Sequence, residues 1–144
     1  MEYQLNIKND QVEARLNRMI QVGAFTAGIA VTLGAMGAHL LQSYLSEVDL
    51  GIYEIGVRYQ FYHAIAILVT AAIYAQHDRK GLKWTYRFFL LGMLFFSGSL
   101  YTLSVSEWLL GTRMTWLGAI TPIGGIFFII GWISFFLSFF RKKS

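Results

Sequence analysis

Apolar residues gather in four blocks along this chain, with the charged residues confined to the stretches between them. The blocks run from Met19 to Leu41, Phe61 to Ala75, Phe88 to about Val105, and about Trp116 to Phe140. Crossing a bilayer takes about 20 helical residues. Three blocks approach or exceed that length. The second is short until it is extended back to Gly56, which brings Arg58 near the membrane surface. The pattern predicts an all-α integral membrane protein, a four-helix antiparallel bundle with spans at about 19–41, 56–75, 88–105 and 116–140. A polar segment, 1–18, precedes this transmembrane domain (19–140), and a basic tail, 141–144, follows it. Asp10 followed by Glu13 resembles a capping box, predicting a short helix over Gln11 to Arg18. Residues 42–55 mix acids with apolar residues, the pattern of a short helix lying on the surface. The first block is longer than the roughly 7–15 residues of a signal-peptide core, so it is expected to be retained.

Composition agrees with lipid as the solvent. Hydrophobic residues make up 56% of the 144-residue chain and charged residues 14%, against roughly 25% charged in soluble domains. The net charge is +4, but the basic residues do not form a patch interleaved with aromatics, so no nucleic-acid surface is expected. They report orientation instead. Lys8, Arg15 and Arg18 precede the first span. Arg79, Lys80, Lys83 and Arg87 separate the second from the third, and Arg141, Lys142 and Lys143 follow the fourth. Only Arg58 and Arg113 fall on the opposite side. Lys and Arg collect on the cytoplasmic side, so a cell-membrane protein with both termini cytoplasmic is predicted. Trp84, Trp108 and Trp116 stand near the span boundaries, as interfacial aromatics do.

With alternating directions, the polar residues inside the spans come to a similar depth in the outer half. The candidate intramembrane site comprises His39, Arg58, Tyr59, Gln60, His63, Ser97, Ser99, Tyr101 and Thr121. On the second span Tyr59, His63, Ala66 and Thr70 share one helical face, which is expected to turn inward because ionisable groups avoid lipid. Arg58 is expected to snorkel or to pair with Glu47, Glu54 or Glu107. Thr121 before Pro122 fits an N-cap and first helical residue, which would aim free N–H groups at the polar layer. A Pro kinking a continuous helix is the alternative.

Small residues predict the packing. Gly23, Ala27, Ala30, Gly34 and Ala38 form a stripe on the first span, and Gly118, Gly124, Gly125 and Gly131 supply close-approach positions on the fourth. Such residues let backbones approach where lipid removes the hydrophobic drive. The first and fourth helices are therefore expected to touch, and either stripe also suits a homo-oligomer or another membrane protein.

Four segments carry a resemblance: GAMGAHLL (34–41), YQFYHAIAIL (59–68), LFFSGSLYTLSV (94–105) and LGAITPIGGIFFIIGW (117–132). Together they resemble the motifs of a small membrane family, domain of unknown function 423, whose animal relatives are transmembrane protein 256-like. The resemblance covers about residues 20–140. It implies a four-helix integral membrane protein and supplies no reaction.

The chemistry open to such a chain is limited. No cysteine is present, which excludes disulfides and thiolate sites. No Ser–His–Asp or paired-carboxylate arrangement is embedded in the spans, so no enzyme is predicted and no cofactor is required. The reading that uses the residues most simply is a membrane binding, assembly or scaffold protein, its polar layer joining helices. Two alternatives stay open. His39 and His63, the histidines within the spans (His77 lies in a loop), are candidate ligands for haem or a metal ion, or His63, Tyr59 and Arg58 for a quinone or lipid headgroup. Proton relay or small-solute transport through His39 and His63 would require an oligomer.

Overall fold

The structure, a computed structural model, describes residues 2–76 and 80–140. His77, Arg79, Arg141, Lys142 and Lys143, on which sequence expectations rest, lie outside the described residues. The described chain is helical throughout, with no strand. Helix α1 spans Glu2–His39, α2 Glu47–Gln76, α3 Lys80–Gly92, α4 Gly98–Leu110 and α5 Thr121–Leu137. A π-helical turn, Met93–Ser97, joins α3 to α4 into one rod, and short 3-10 turns, Leu41–Ser43 and Thr115–Ala119, precede α2 and α5. The chain thus makes four helical rods. Three segments, Asn9–Ser43, Gly81–Leu110 and Thr115–Leu137, are long and apolar enough to cross a membrane. Helix α2 has the length, 30 residues, but not the composition.

The polar amino-terminal segment is not a separate helix. Nothing between Asp10 and Met19 breaks a helix, so α1 runs through, and Asp10 lies in its interior rather than at a cap. Val12, Leu16 and Met19, spaced to share a face, pack on Ala71, Tyr74 and Leu82. Nor do residues 42–55 form a surface helix. Ser46 caps α2: the Asp49 N–H donates to Ser46 Oγ (3.2 Å), and the Ser46 hydroxyl donates to Asp49 Oδ2 (2.7 Å). This cap starts α2 at Glu47, and the acids fall in its first turn, where the helix dipole favours them.

Helix α2 lies against α1, α3, the π turn and α4. Its buried positions Tyr53, Gly56, Gln60, His63, Ile67, Thr70 and Tyr74 recur at alternating intervals of three and four, the spacing that keeps one seam facing its neighbours. The polar side chains Gln60, His63 and Thr70 of α2 thus lie on the face its partners cover, while Tyr62, Ile65 and Val69 on the other face are exposed. The outward faces of α1 and α5 are apolar: Phe25 and Val31, Ile126, Ile129 and Phe136 are all more than half exposed. Surface of that kind is stable in hydrocarbon and not in water.

Each seam has a legible register. Along α1 and α2, Gly37 faces Tyr53, Gly34 faces Val57 and Gly23 faces Leu68, so numbers fall on one helix as they rise on the other. Along the third rod and α5, Ser134 Oγ donates to the Gly81 carbonyl (3.0 Å). Further along, Gly131 lies against Phe89, Gly92 against Phe128, and Gly124 against the Phe96 backbone. Each bulky ring there enters a gap that a glycine leaves on the facing helix. This revises the expected contact between the first and fourth helices: the small residues of α1 serve α2 and those of α5 serve the third rod. The reason is reach, since each glycine accepts the large side chain that the adjacent rod presents at its level. Helix α5 reaches the amino-terminal cluster through Phe135.

Candidate functional site

Two linked polar groupings occupy the interior. The first is centred on Gln60, which is 8% exposed. Its Nε2 donates to the Thr26 carbonyl of α1 (2.9 Å), and its Oε1 accepts from the Tyr101 hydroxyl of α4 (3.0 Å). One amide thereby ties three helices together. The Tyr101 ring lies 5.1 Å from that of Tyr53 and close against Gly56, where an added Cβ would come 2.9 Å from it. The Tyr53 hydroxyl donates to the Leu33 carbonyl (3.0 Å). Across the rod, Ser99 Oγ and Thr121 Oγ1 share a hydrogen bond of 2.8 Å, and Ser99 also donates to the Phe96 carbonyl (2.9 Å).

The second grouping surrounds His63, 5% exposed. Its Nδ1 lies 2.8 Å from the Tyr59 carbonyl, and its Nε2 lies 3.2 Å from Trp132 Nε1. A carbonyl can only accept and an indole N–H can only donate. The network therefore assigns the neutral tautomer with the proton on Nδ1, and both ring nitrogens are engaged. The imidazole stacks on Phe128 at 3.5 Å between centroids and meets Phe89 edge-on at 5.1 Å.

The expected site residues divide accordingly. Gln60, Tyr101, Ser99 and Thr121 are joined across helices as pairs, and His63 is buried but bonds to Trp132 rather than to Ser97 or Thr121. Tyr59 is 41% exposed, with its ring 4.5 Å from Phe96, at the edge of the buried seam that Gln60 and His63 share. Arg58 is exposed, its Nε donating to the Glu54 carbonyl (3.4 Å). Arg113 rather than Arg58 takes the carboxylates, 2.7 Å from Asp49 and 3.7 Å from Glu107. Ser97 is buried and its hydroxyl has no hydrogen-bond partner. His39 ends α1 in an exposed position. Thirteen residues, about 20 Å of helix, separate it from Thr26, the α1 residue facing Gln60. The two imidazoles expected as joint ligands are thus not brought together. No group of three or more metal-ligating side chains occurs among the described residues.

Two packing expectations change as well. Ala38 is exposed and Gly37 makes the contact in its place; Gly118 is exposed with nothing near its Cβ position. Gly34, Gly124 and Gly131 serve as close-approach points, while Gly125 makes ordinary contact at 3.9 Å. Pro122 lies in the first turn of α5 rather than kinking its interior. Thr121 does not cap the helix with its side chain, which turns to Ser99. The Ile123 and Gly124 N–H groups close on the Ile120 carbonyl (3.0 and 3.3 Å) instead of facing the polar layer.

Sequence reasoning missed Trp132, Phe128 and Phe89, the residues that define the His63 environment. Their signal was present only as glycines: Gly92 and Gly131 mark where Phe128 and Phe89 enter the seam.

Enclosed polar bonds, an apolar exterior and three rods fit to cross a bilayer define a multi-pass α-helical membrane protein. The chain belongs to the family described as protein of unknown function (DUF423), whose model matches residues 33–125. Similar relatives carry the name UPF0382 membrane protein. One from Staphylococcus aureus (strain bovine RF122 / ET3-1) is 40% identical over 122 residues, covering 85% of this chain and 94% of its own. YwdK from Bacillus subtilis (strain 168) is 42% identical over 115 residues, 79% of this chain and 89% of its own. One from Haemophilus influenzae is 38% identical over 128 residues, 89% and 98% respectively. No solved structure matches the chain.

Proposed function

We propose that the chain is an antiparallel four-helix bundle of the cell membrane, with both termini cytoplasmic, that acts as a binding, assembly or scaffold protein rather than as an enzyme. One observation carries this reading: both ring nitrogens of His63, which is buried, are engaged by the chain's own Tyr59 and Trp132. A ligand for haem or metal needs a free lone pair, and a proton relay needs a nitrogen that can exchange its partner. Gln60 and Tyr101 likewise complete each other. Interhelical hydrogen bonds of this kind act as glue between membrane helices. The orientation rests on the ten basic residues outside Arg58 and Arg113 falling on one side of the predicted spans.

The test is mild cross-linking in native membranes, purification of the full chain, and identification of bound proteins together with metal and haem analysis. A reproducible protein partner or homo-oligomer, with no stoichiometric metal or Soret band, is the expected outcome. A haem or metal lost in His63→Ala would overturn the reading. A cytoplasm-active reporter fused after Ser144 should work, and one inserted at Gly111 should not.

A further inference from the structure

At the end of the molecule opposite the amino terminus, a cleft of about 320 Å3 opens between the start of α2 and the end of α4. We propose that this cleft binds a small zwitterion, its ammonium group held by Glu107 against the open side of the Trp108–Tyr44 pair and its anionic group held by Arg113.

The residues divide into those already committed and those open. Asp49 is committed: one carboxylate oxygen accepts from Ser46 (2.7 Å), and the other lies 2.7 Å from Arg113 Nη2. Only 8% of its side chain is exposed. Glu107 is open. Its side chain is 61% exposed and lies a loose 3.7 Å from Arg113 Nη1. A guanidinium has five N–H donors, and with a third of its side chain exposed Arg113 keeps donors for an incoming anion.

The aromatic wall selects the cation. Tyr44 and Trp108 lie 4.9 Å apart at 30° and are both about half exposed. The rings pack on each other and leave part of each open, and an open ring surface with a carboxylate beside it attracts an alkylammonium group. Glu107 and Trp108 also stand in the last turn of α4, which ends at Leu110, where the negative end of the helix dipole favours a cation. Two acids against one base leave the cleft with a net charge of −1, which disfavours a simple anion, while a simple cation meets Arg113. A ligand carrying both charges a few bonds apart satisfies both walls. Glycerophosphoethanolamine has that form, one phosphodiester negative charge against one ammonium, and the same group is presented by a phosphatidylethanolamine headgroup.

The experiment titrates glycerophosphoethanolamine into the purified full chain in neutral detergent by calorimetry, with choline and inorganic phosphate as comparators of one charge sign. Glycerophosphoethanolamine is expected to bind about tenfold more tightly than either. Glu107→Gln and Trp108→Ala should each weaken it about tenfold, and Trp108→Phe should keep most of the affinity. Native mass spectrometry from nanodiscs of phosphatidylethanolamine or phosphatidylglycerol separates the sources. Retained phosphatidylethanolamine that is lost in Glu107→Gln identifies a headgroup, and binding of only the free compound identifies a soluble ligand. The proposal is overturned if the wild-type chain binds neither glycerophosphoethanolamine nor phosphatidylethanolamine, or if folded Glu107→Gln and Trp108→Ala bind as tightly as wild type.

Discussion

Trp132 Nε1 lies 3.2 Å from His63 Nε2, closing a bond between helices α5 and α2 across 69 residues of sequence. Because indole can only donate, this bond fixes which imidazole nitrogen holds the proton. It also joins the α3–α5 pair to the α1–α2 pair through the polar seam of α2.

The bond should be measurable as coupling. In a double-mutant cycle of His63→Ala and Trp132→Phe, unfolding in detergent should give a coupling energy of about 0.6–1.7 kcal/mol, the range for membrane interhelical bonds. His63→Ala alone should cost about 2–4 kcal/mol, since it also removes the stack on Phe128 and leaves the Trp132 N–H unpaired. Additive single-mutant effects would contradict the bond.

Two serines separated by a single residue should respond in opposite ways. Ser97 is buried with an unpartnered hydroxyl, so Ser97→Ala removes a desolvated group and should leave the melting temperature unchanged or raise it. Ser99 bonds to Thr121, so Ser99→Ala should cost about 0.5–1.5 kcal/mol. Equal losses in both variants would mean that Ser97 has a partner after all.

The four rods were legible because a run of apolar residues reports its solvent directly. The interior was legible only in part. His63 could be placed on an inward face and Gln60 in the polar layer, since polar side chains in lipid turn inward. Tyr101 was already among the residues expected in that layer, but Thr26 and Trp132 could not be named, because they meet Gln60 and His63 through helix rotation and register, which local spacing does not encode. Tyr59 was placed on the wrong side of that rotation: a strict i, i+4 face selects it, whereas the three–four seam of α2 passes through Gln60 instead. The glycines of α5 identified a close contact but not its recipient. The size of the side chain opposite decides that, and Phe89 and Phe128 lie on the third rod and on α5 itself.

Gly124 sits against the main chain of Phe96, so an added methyl there meets backbone that cannot swing away; its distance to Phe96 Cα would be 2.7 Å. Gly124→Ala should push α5 off the π turn and cost about 2–3 kcal/mol by overpacking. Gly118→Ala has open space and should stay within about 0.5 kcal/mol of wild type. Thermal melts of the two variants side by side check this, and similar behaviour of the pair would argue against the tight α5 contact.

The ion pair of Asp49 with Arg113 ties the start of α2 to the connection between α4 and α5. Asp49 is enclosed and charged, so losing its cation leaves a carboxylate with only the Ser46 hydroxyl for compensation. Breaking a fully buried pair costs about 3–5 kcal/mol. Arg113 is one-third exposed, and solvent screening lowers the expected cost of Arg113→Ala to about 1–3 kcal/mol. Adding Asp49→Asn to Arg113→Ala should recover part of that loss, because the neutral amide has no charge left to compensate and still accepts from Ser46. The Arg113 contribution should also shrink at high salt, though less than for an exposed pair. Unfolding midpoints for wild type, Arg113→Ala and the double variant at low and high salt decide the matter. A double variant less stable than Arg113→Ala would show that Asp49 holds the helix start through its capping bonds alone.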